Sequence, residues 1–217
     1  MGFPSRLLPI VAIALLASAC GSAASADGGS SPATSTSKPK VHLRPAQMVD
    51  RMVLHSGDLL NFVVRSKRVE ALKDQLSPAS DPSAAVVNRL TRTGWLASEN
   101  SVIAANPSFP LVSDVNLFRS VALTKRLWAA DNRPGPGRSY VSAAPAGSPA
   151  GAVYLTISTG KYVMFRLGWR QDRVIGQVFM FFHKGPAISP AHRAEIASLL
   201  SRAAAAESGR IAAALSA

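Results

Sequence analysis

The sequence predicts an α+β fold: an antiparallel β-sheet built around a meander over 152–182, with helices packed on one face and a long C-terminal helix. Three observations predict it. Period-two alternation fills 152–182 and is interrupted by two turn signals, Thr159-Gly160 and Gln171-Asp172-Arg173. Helix-spaced apolar residues recur upstream of the meander. An Ala-rich tail follows Ser189-Pro190, an N-cap with proline at the first helical position. Strands that pair locally, beside helices that need a face to cover, give an α+β architecture.

The elements follow in chain order. Between Arg44 and Leu54, apolar Met48, Val49, Met52 and Val53 fall on one side of a short helix. Leu59 to Val64 reads as a strand, and Lys67 to Ser80 as a polar stretch without a clear element. Asp81-Pro82 opens a helix whose apolar side is Val86, Val87 and Leu90 and whose stop is Gly94-Trp95. Asn100 to Ala105 reads as a strand closed by Asn106-Pro107. In 112–118, Val112, Asp114, Asn116 and Phe118 alternate with Ser113, Val115 and Leu117, the mark of a half-buried strand. Ser120 to Ala130 is a helix, with Val121, Leu123, Leu127 and Trp128 on its apolar side. Two prolines and two glycines make 132–137 a loop.

Within the meander, Val153–Ser158 alternates first. Val163, Phe165, Leu167 and Trp169 then oppose Tyr162, Met164 and Arg166. In the third strand, Val174 to Phe182, the run Phe179-Met180-Phe181-Phe182 is apolar at every position, which predicts a central strand covered on both faces. In the C-terminal helix, Ile196, Leu199, Leu200 and Ala203 share a face, and Gly209 marks a kink or division.

Residues 1–19 do not belong to this domain. Arg6 precedes an apolar run, Leu7 to Ala19, of 13 residues. As a helix it spans about 20 Å, short of the roughly 30 Å hydrocarbon core, so it reads as a signal-peptide core. Ala17, Ser18 and Ala19 then precede Cys20, the one cysteine of the chain. This arrangement resembles a bacterial lipoprotein signal with its lipobox, although Ala17 stands where leucine is usual. The resemblance implies that the signal is cut before Cys20 and that Cys20 is diacylated, a lipidation site with palmitate-type chains. A cut after Ala17-Ser18-Ala19 or Ala24-Ser25-Ala26 by ordinary secretion is the competing reading.

Residues 20–40, GSAASADGGSSPATSTSKPK after the cysteine, hold no large apolar residue and form a flexible linker reaching roughly 25 Å. Residues 41–217 form a single globular domain, long enough to bury a core without disulfides.

The formal net charge is +12. Such a surface favours anionic lipid headgroups or wall polymers. Nucleic acid is not expected, because the chain carries no basic-aromatic motif of the known readers.

No chemistry stands out. His42, His55, His183 and His192 form no H-x-x-x-H pair, so no metal is expected, and no phosphate-cradling Gly motif indicates a cofactor. G-x-S-x-G is absent, and the acids are dispersed. His55 and Asp58 lie close, in what reads as a turn rather than a dyad. Trp95, Trp128 and Trp169 are read as packing residues before sugar-stacking ones. Arg166 and Tyr162 face away from Val163 and Phe165; they touch a ligand if that face is open, and Arg166 needs a partner if helices cover it.

Leu90-x-x-x-Gly94-Trp95, the strand ending at Leu117-Phe118, and Arg166-x-Gly168 before an apolar strand together resemble small lipobox-containing lipoproteins of high-GC Gram-positive bacteria with a sensor-like extracellular domain. That resemblance implies no active-site residue. The expected function is therefore a non-enzymatic binding or sensing domain of the cell envelope, tethered to the outer face of the cell membrane, with an apolar or envelope-derived ligand in the helix–sheet space. The alternative is an interaction protein docking on another envelope protein or an anionic wall polymer; a hydrolase comes third.

Overall fold

The computed structural model describes residues 43–72, 92–104, 110–132, 138–140, 143–158, 161–183 and 188–217. Residues Lys40–Ala217 form one compact unit. The expected signal peptide, Cys20 and the expected linker lie outside the described residues, as do the helix expected from Asp81 and the loop 133–137.

The elements are α1 (Pro45–Met52), β1 (Val63–Ala71), β2 (Trp95–Ala104), β3 (Leu111–Phe118), α2 (Val121–Asp131), β4 (Arg138–Tyr140), β5 (Val153–Ser158), β6 (Tyr162–Gln171), β7 (Val174–His183) and α3 (Pro190–Ser216). The strands form one antiparallel sheet in the order β1-β2-β3-β7-β6-β5-β4. It is two meanders joined where β3 pairs with β7. This is the expected α+β fold with its long C-terminal helix.

Several boundaries differ from the sequence reading. Leu59 and Leu60 lie in a turn that ends with Asn61 at φ 65°, and the strand begins at Val63. β1 then continues through Arg65 and takes up Lys67 and Arg68 from the stretch read as having no clear element. It is an edge strand, where charges deter pairing with another chain and blur the alternation. β2 starts at Trp95, five residues early, because Gly94 (φ 64°) turns the chain directly into it. β7 is central as expected but is not covered on both faces: Phe181 is 44% exposed. α3 runs unbroken through Gly209.

The cap read at Ser189 is present, and Ser120 caps α2 in the same way. Ser120 and Ser189 each accept a hydrogen bond from the backbone three residues on, at Leu123 and His192.

α1 and α3 cover one face of the sheet, the inner face, and pack against each other. Its core includes Val49, Met52, Leu117, Leu167, Trp169, Leu200, Ala203 and Ile211, each at most 1% exposed. Side chains buried this completely have neighbours on every side, so no gap is left beside them. α2 meets the outer face at one end: Trp128 lies where a Cβ on Gly168 would be 3.3 Å from it. The two faces are fixed by register. Ser101, Ser113, Val178 and Leu167 share the inner face; Asn100, Asp114, Gln177 and Gly168 share the outer.

Candidate functional site

The inner face buries a line of polar groups among its apolar residues. Glu99, Ser101, Ser113 and Glu207 are each at most about 2% exposed. The Ser113 hydroxyl donates to a Glu207 carboxylate oxygen and accepts the Leu54 N–H at 3.2 Å. The Ser101 hydroxyl donates to the Leu54 carbonyl at 3.4 Å. The segment after α1 is thus held to the sheet by its own backbone. Burial pushes the Glu207 carboxyl well above the usual carboxylate range, against the pull of the Ser113 hydrogen bond. Its Oε1 has no hydrogen-bond partner.

At the β1 side, Lys67 Nζ lies 2.9 Å from Asp50 Oδ1, 3.2 Å from Glu99 Oε1 and 3.3 Å from His55 Nε2. Burial raises the Glu99 pKa and the Lys67 ammonium opposes it. Desolvation lowers the Lys67 pKa, but hydrogen bonds to Asp50 and Glu99 outweigh it and the net shift is upward. The cluster clamps α1 to β1 and β2: each carboxylate touches an ammonium rather than an open cavity.

The outer face differs. β2 and β7 alternate between buried inner residues and half-buried outer ones through most of their length. One row across the sheet reads Arg68, Asn100, Asp114, Gln177, Gly168. Asp114 accepts from the Asn116 amide at 3.0 Å and from the Gln177 amide. Desolvation raises the Asp114 pKa, while these two hydrogen bonds lower it. The next row reads Val102, Val112, Phe179, Arg166. Phe179 and Phe181 meet edge to face, centroids 5.2 Å apart. The outer face is therefore divided: hydrogen-bonding side chains in the middle, aromatic ones toward the end carrying Tyr162 and His183.

The residues singled out from sequence are now placed. Arg166 finds a partner, as a covered face requires: it is 7% exposed and ion-paired to Asp131 of α2. Tyr162 packs on His183 at 4.5 Å and is 38% exposed. Asp58 accepts the His55 N–H at 2.7 Å and pairs with Arg210 at 3.1 Å, which is turn and helix-docking work. Trp95 and Trp169 are core residues. His192 lies by Glu195 at 3.3 Å and against Phe182. Among the described residues, no three of His, Cys, Asp and Glu are placed to hold a metal ion. No described helix is long and apolar enough to cross a membrane.

The polar row was missed. The alternation of Asp114 and Asn116 with apolar residues was visible, but Asn100 and Gln177 join them only through strand register.

No family model matches the chain. No curated protein matches it either. Among solved structures it is similar to the extracellular domain of PknH from Mycobacterium tuberculosis, at 10% identity over 75% of this chain and 96% of that one, with a TM-score of 0.41.

Proposed function

We propose that this chain is an extracytoplasmic lipoprotein, held at the outer face of the cell membrane through Cys20, whose domain binds rather than catalyses and does so on the outer face of its sheet. The observation that carries the reading is the alternation of burial in β2 and β7. One face is closed under α1 and α3, while the other keeps Asn100, Asp114, Gln177 and Phe179 half-exposed and Phe181 at 44%. Binding sites combine apolar area with a few convergent polar groups, and this face has both. An apolar ligand between helix and sheet finds no room beside Trp169, Leu200 and Ile211, which are buried. Ser113 and Glu207 are a hydroxyl and a carboxyl in contact, but both are closed to solvent, so they favour structure over hydrolysis.

The test is site-specific photocrosslinking in cells. A benzophenone amino acid replaces Phe181, or Arg202 on the exposed side of α3 as a control. A photoproduct at 181 and not at 202 is expected. A protein or polymer adduct there favours docking on an envelope partner. No adduct at 181 removes the outer face as the binding surface.

A further inference from the structure

We infer that the end of the sheet where β2 begins and β3 ends is a second membrane contact, an arginine-rich surface that rests on anionic lipid headgroups. The inference rests on the anchoring part of the reading above and adds which end of the domain meets the bilayer.

Arginines gather at this end through the backbone. Trp95, the first residue of β2, pairs with Phe118 at the end of β3, and Leu117 pairs with Val174 at the start of β7. The Arg119 N–H donates to the Gly94 carbonyl at 2.7 Å, and the Phe118 N–H donates to the Arg173 carbonyl at 2.9 Å. Arg92 lies just before Gly94, and Arg170 and Arg173 flank the turn between β6 and β7. Arg173 Nη2 lies 3.7 Å from Met48 Sδ of α1. The Met48 N–H donates to the Arg44 carbonyl at 3.0 Å, so Arg44 stands one helical turn further out at the same end. Arg44, Arg92 and Arg119 are exposed. Arg170 spends one donor on the Asp172 carbonyl and keeps its charge. Among the described residues, the acids at these strand ends are Asp172 and Glu70, and Glu70 is paired with Arg68 at 2.9 Å.

The shape and the tether select a bilayer. The strands run in the order β2-β3-β7-β6, so Arg92, Arg119, Arg173 and Arg170 stand on neighbouring strands. Strands lie about 4.8 Å apart, so the row is roughly 14 Å wide, broader than one small anion and suited to a plane of headgroups. α1 is the first element after the expected linker 20–40, which itself ends with Lys38 and Lys40. The chain therefore enters the domain at its arginine-rich end, and a tether reaching roughly 25 Å keeps that end near the membrane. Each Lys or Arg near an anionic bilayer strengthens attachment about fivefold. Val121, 46% exposed at the start of α2, follows Arg119 closely and offers an apolar group to the headgroup boundary. With this end down, the sheet stands on the bilayer and its outer face stays open to a partner.

The test uses the full lipidated chain in vesicles of phosphatidylcholine, alone or with about 30% phosphatidylglycerol. A benzophenone amino acid replaces Val121 or, as a control at the opposite end of the sheet, the exposed Lys161 before β6. A phospholipid adduct is expected at 121 and not at 161. It requires phosphatidylglycerol and falls about fivefold or more in roughly 0.5 M NaCl. Arg92→Gln combined with Arg119→Gln is expected to lower it as far, whereas Arg92→Lys combined with Arg119→Lys keeps the charge and the adduct. Thermal melting checks that each variant folds. Equal adducts at 121 and 161, or an adduct at 121 indifferent to phosphatidylglycerol and salt, overturn the inference. Loss of the adduct to soluble polyphosphate at the same phosphate concentration assigns the patch to an anionic wall polymer and overturns it as well. Failure of the anchor reads differently: the chain then leaves vesicles of either composition in high salt, whatever the adduct in low salt.

Discussion

Ser113, in the middle of the sheet, hydrogen-bonds Glu207 on the C-terminal helix, tying together residues 94 positions apart. The same hydroxyl accepts the Leu54 N–H. Three parts of the chain, the segment after α1, β3 and α3, therefore meet at one buried carboxyl that has no exposed atom.

The pH dependence of that contact has a definite sign. Burial raises the folded pKa of Glu207 above its unfolded value, so its contribution is fully present below the unfolded pKa and is lost as pH rises through the folded one. Between the two, the unfolded state releases a proton that the folded state keeps, which costs stability at about 1.4 kcal/mol per pH unit. Glu99 and Asp114 shift in the same direction, so they add to the slope of the native protein. Glu207→Gln isolates one contribution: the variant gains on the native chain as pH rises from 5 to 8 in urea unfolding. A difference that stays constant with pH means that Glu207 is ionised in the folded state.

Two glycines predict opposite effects of the same substitution. A Cβ on Gly176 would lie 2.5 Å from Trp169 Cζ2 and 3.2 Å from Ile211 Cδ1, both side chains fixed in the core. Gly176→Ala is expected to cost about 1–3 kcal/mol by overpacking. Gly209 lies within α3 with nothing within 4 Å of its added Cβ, so Gly209→Ala is expected to stabilise by roughly 0.5–1 kcal/mol. Denaturant midpoints moving the same way in both variants contradict this packing.

How far these features were legible depends on range. α3 announced itself because its cap is local: Ser189 bonds three residues on. The 152–182 meander was equally local, each strand pairing with the next. β1 was not legible, since its Arg and Lys residues mask the apolar period of an edge strand. Phe181 read as buried because an apolar run is the same string whether one face or two are covered. The polar row needed Asp114 placed beside Gln177, a pairing 63 residues apart that no spacing rule supplies.

Arg166 and Asp131 test whether the ion pair stabilises or merely compensates. Removing Asp131 leaves a guanidinium that is 7% exposed facing Trp128 and Gly168. Asp131→Ala is expected to cost about 1–3 kcal/mol, reduced from the fully buried case because the Asp131 side chain is 32% exposed. Arg166→Met keeps most of the volume and leaves no buried charge, so it costs less. The double variant then matches Arg166→Met within about 0.5 kcal/mol. A double variant that loses the sum of the two single effects indicates that the residues act independently.

The last prediction concerns the anchor. A single acyl chain holds a protein to a bilayer only marginally, whereas two hold it stably, so the proposed diacylation of Cys20 decides where the domain resides. Under this proposal Cys20→Ser removes the sulfur that takes the lipid and the residue before which the signal is cut. The variant is expected to accumulate as unprocessed precursor, about 2 kDa heavier than the unlipidated mature chain (19 residues at roughly 110 Da each). Labelling with radioactive palmitate is expected in the native chain and is expected to vanish in the variant. The apolar run Leu7–Ala19 is too short to span a bilayer comfortably, so the precursor extracts more readily in alkaline carbonate than a true membrane span. A Cys20→Ser chain that is cut at the same place and stays in the membrane shows that retention comes from the folded domain. Cutting at Ala24-Ser25-Ala26, with release of the chain, assigns the segment to ordinary secretion.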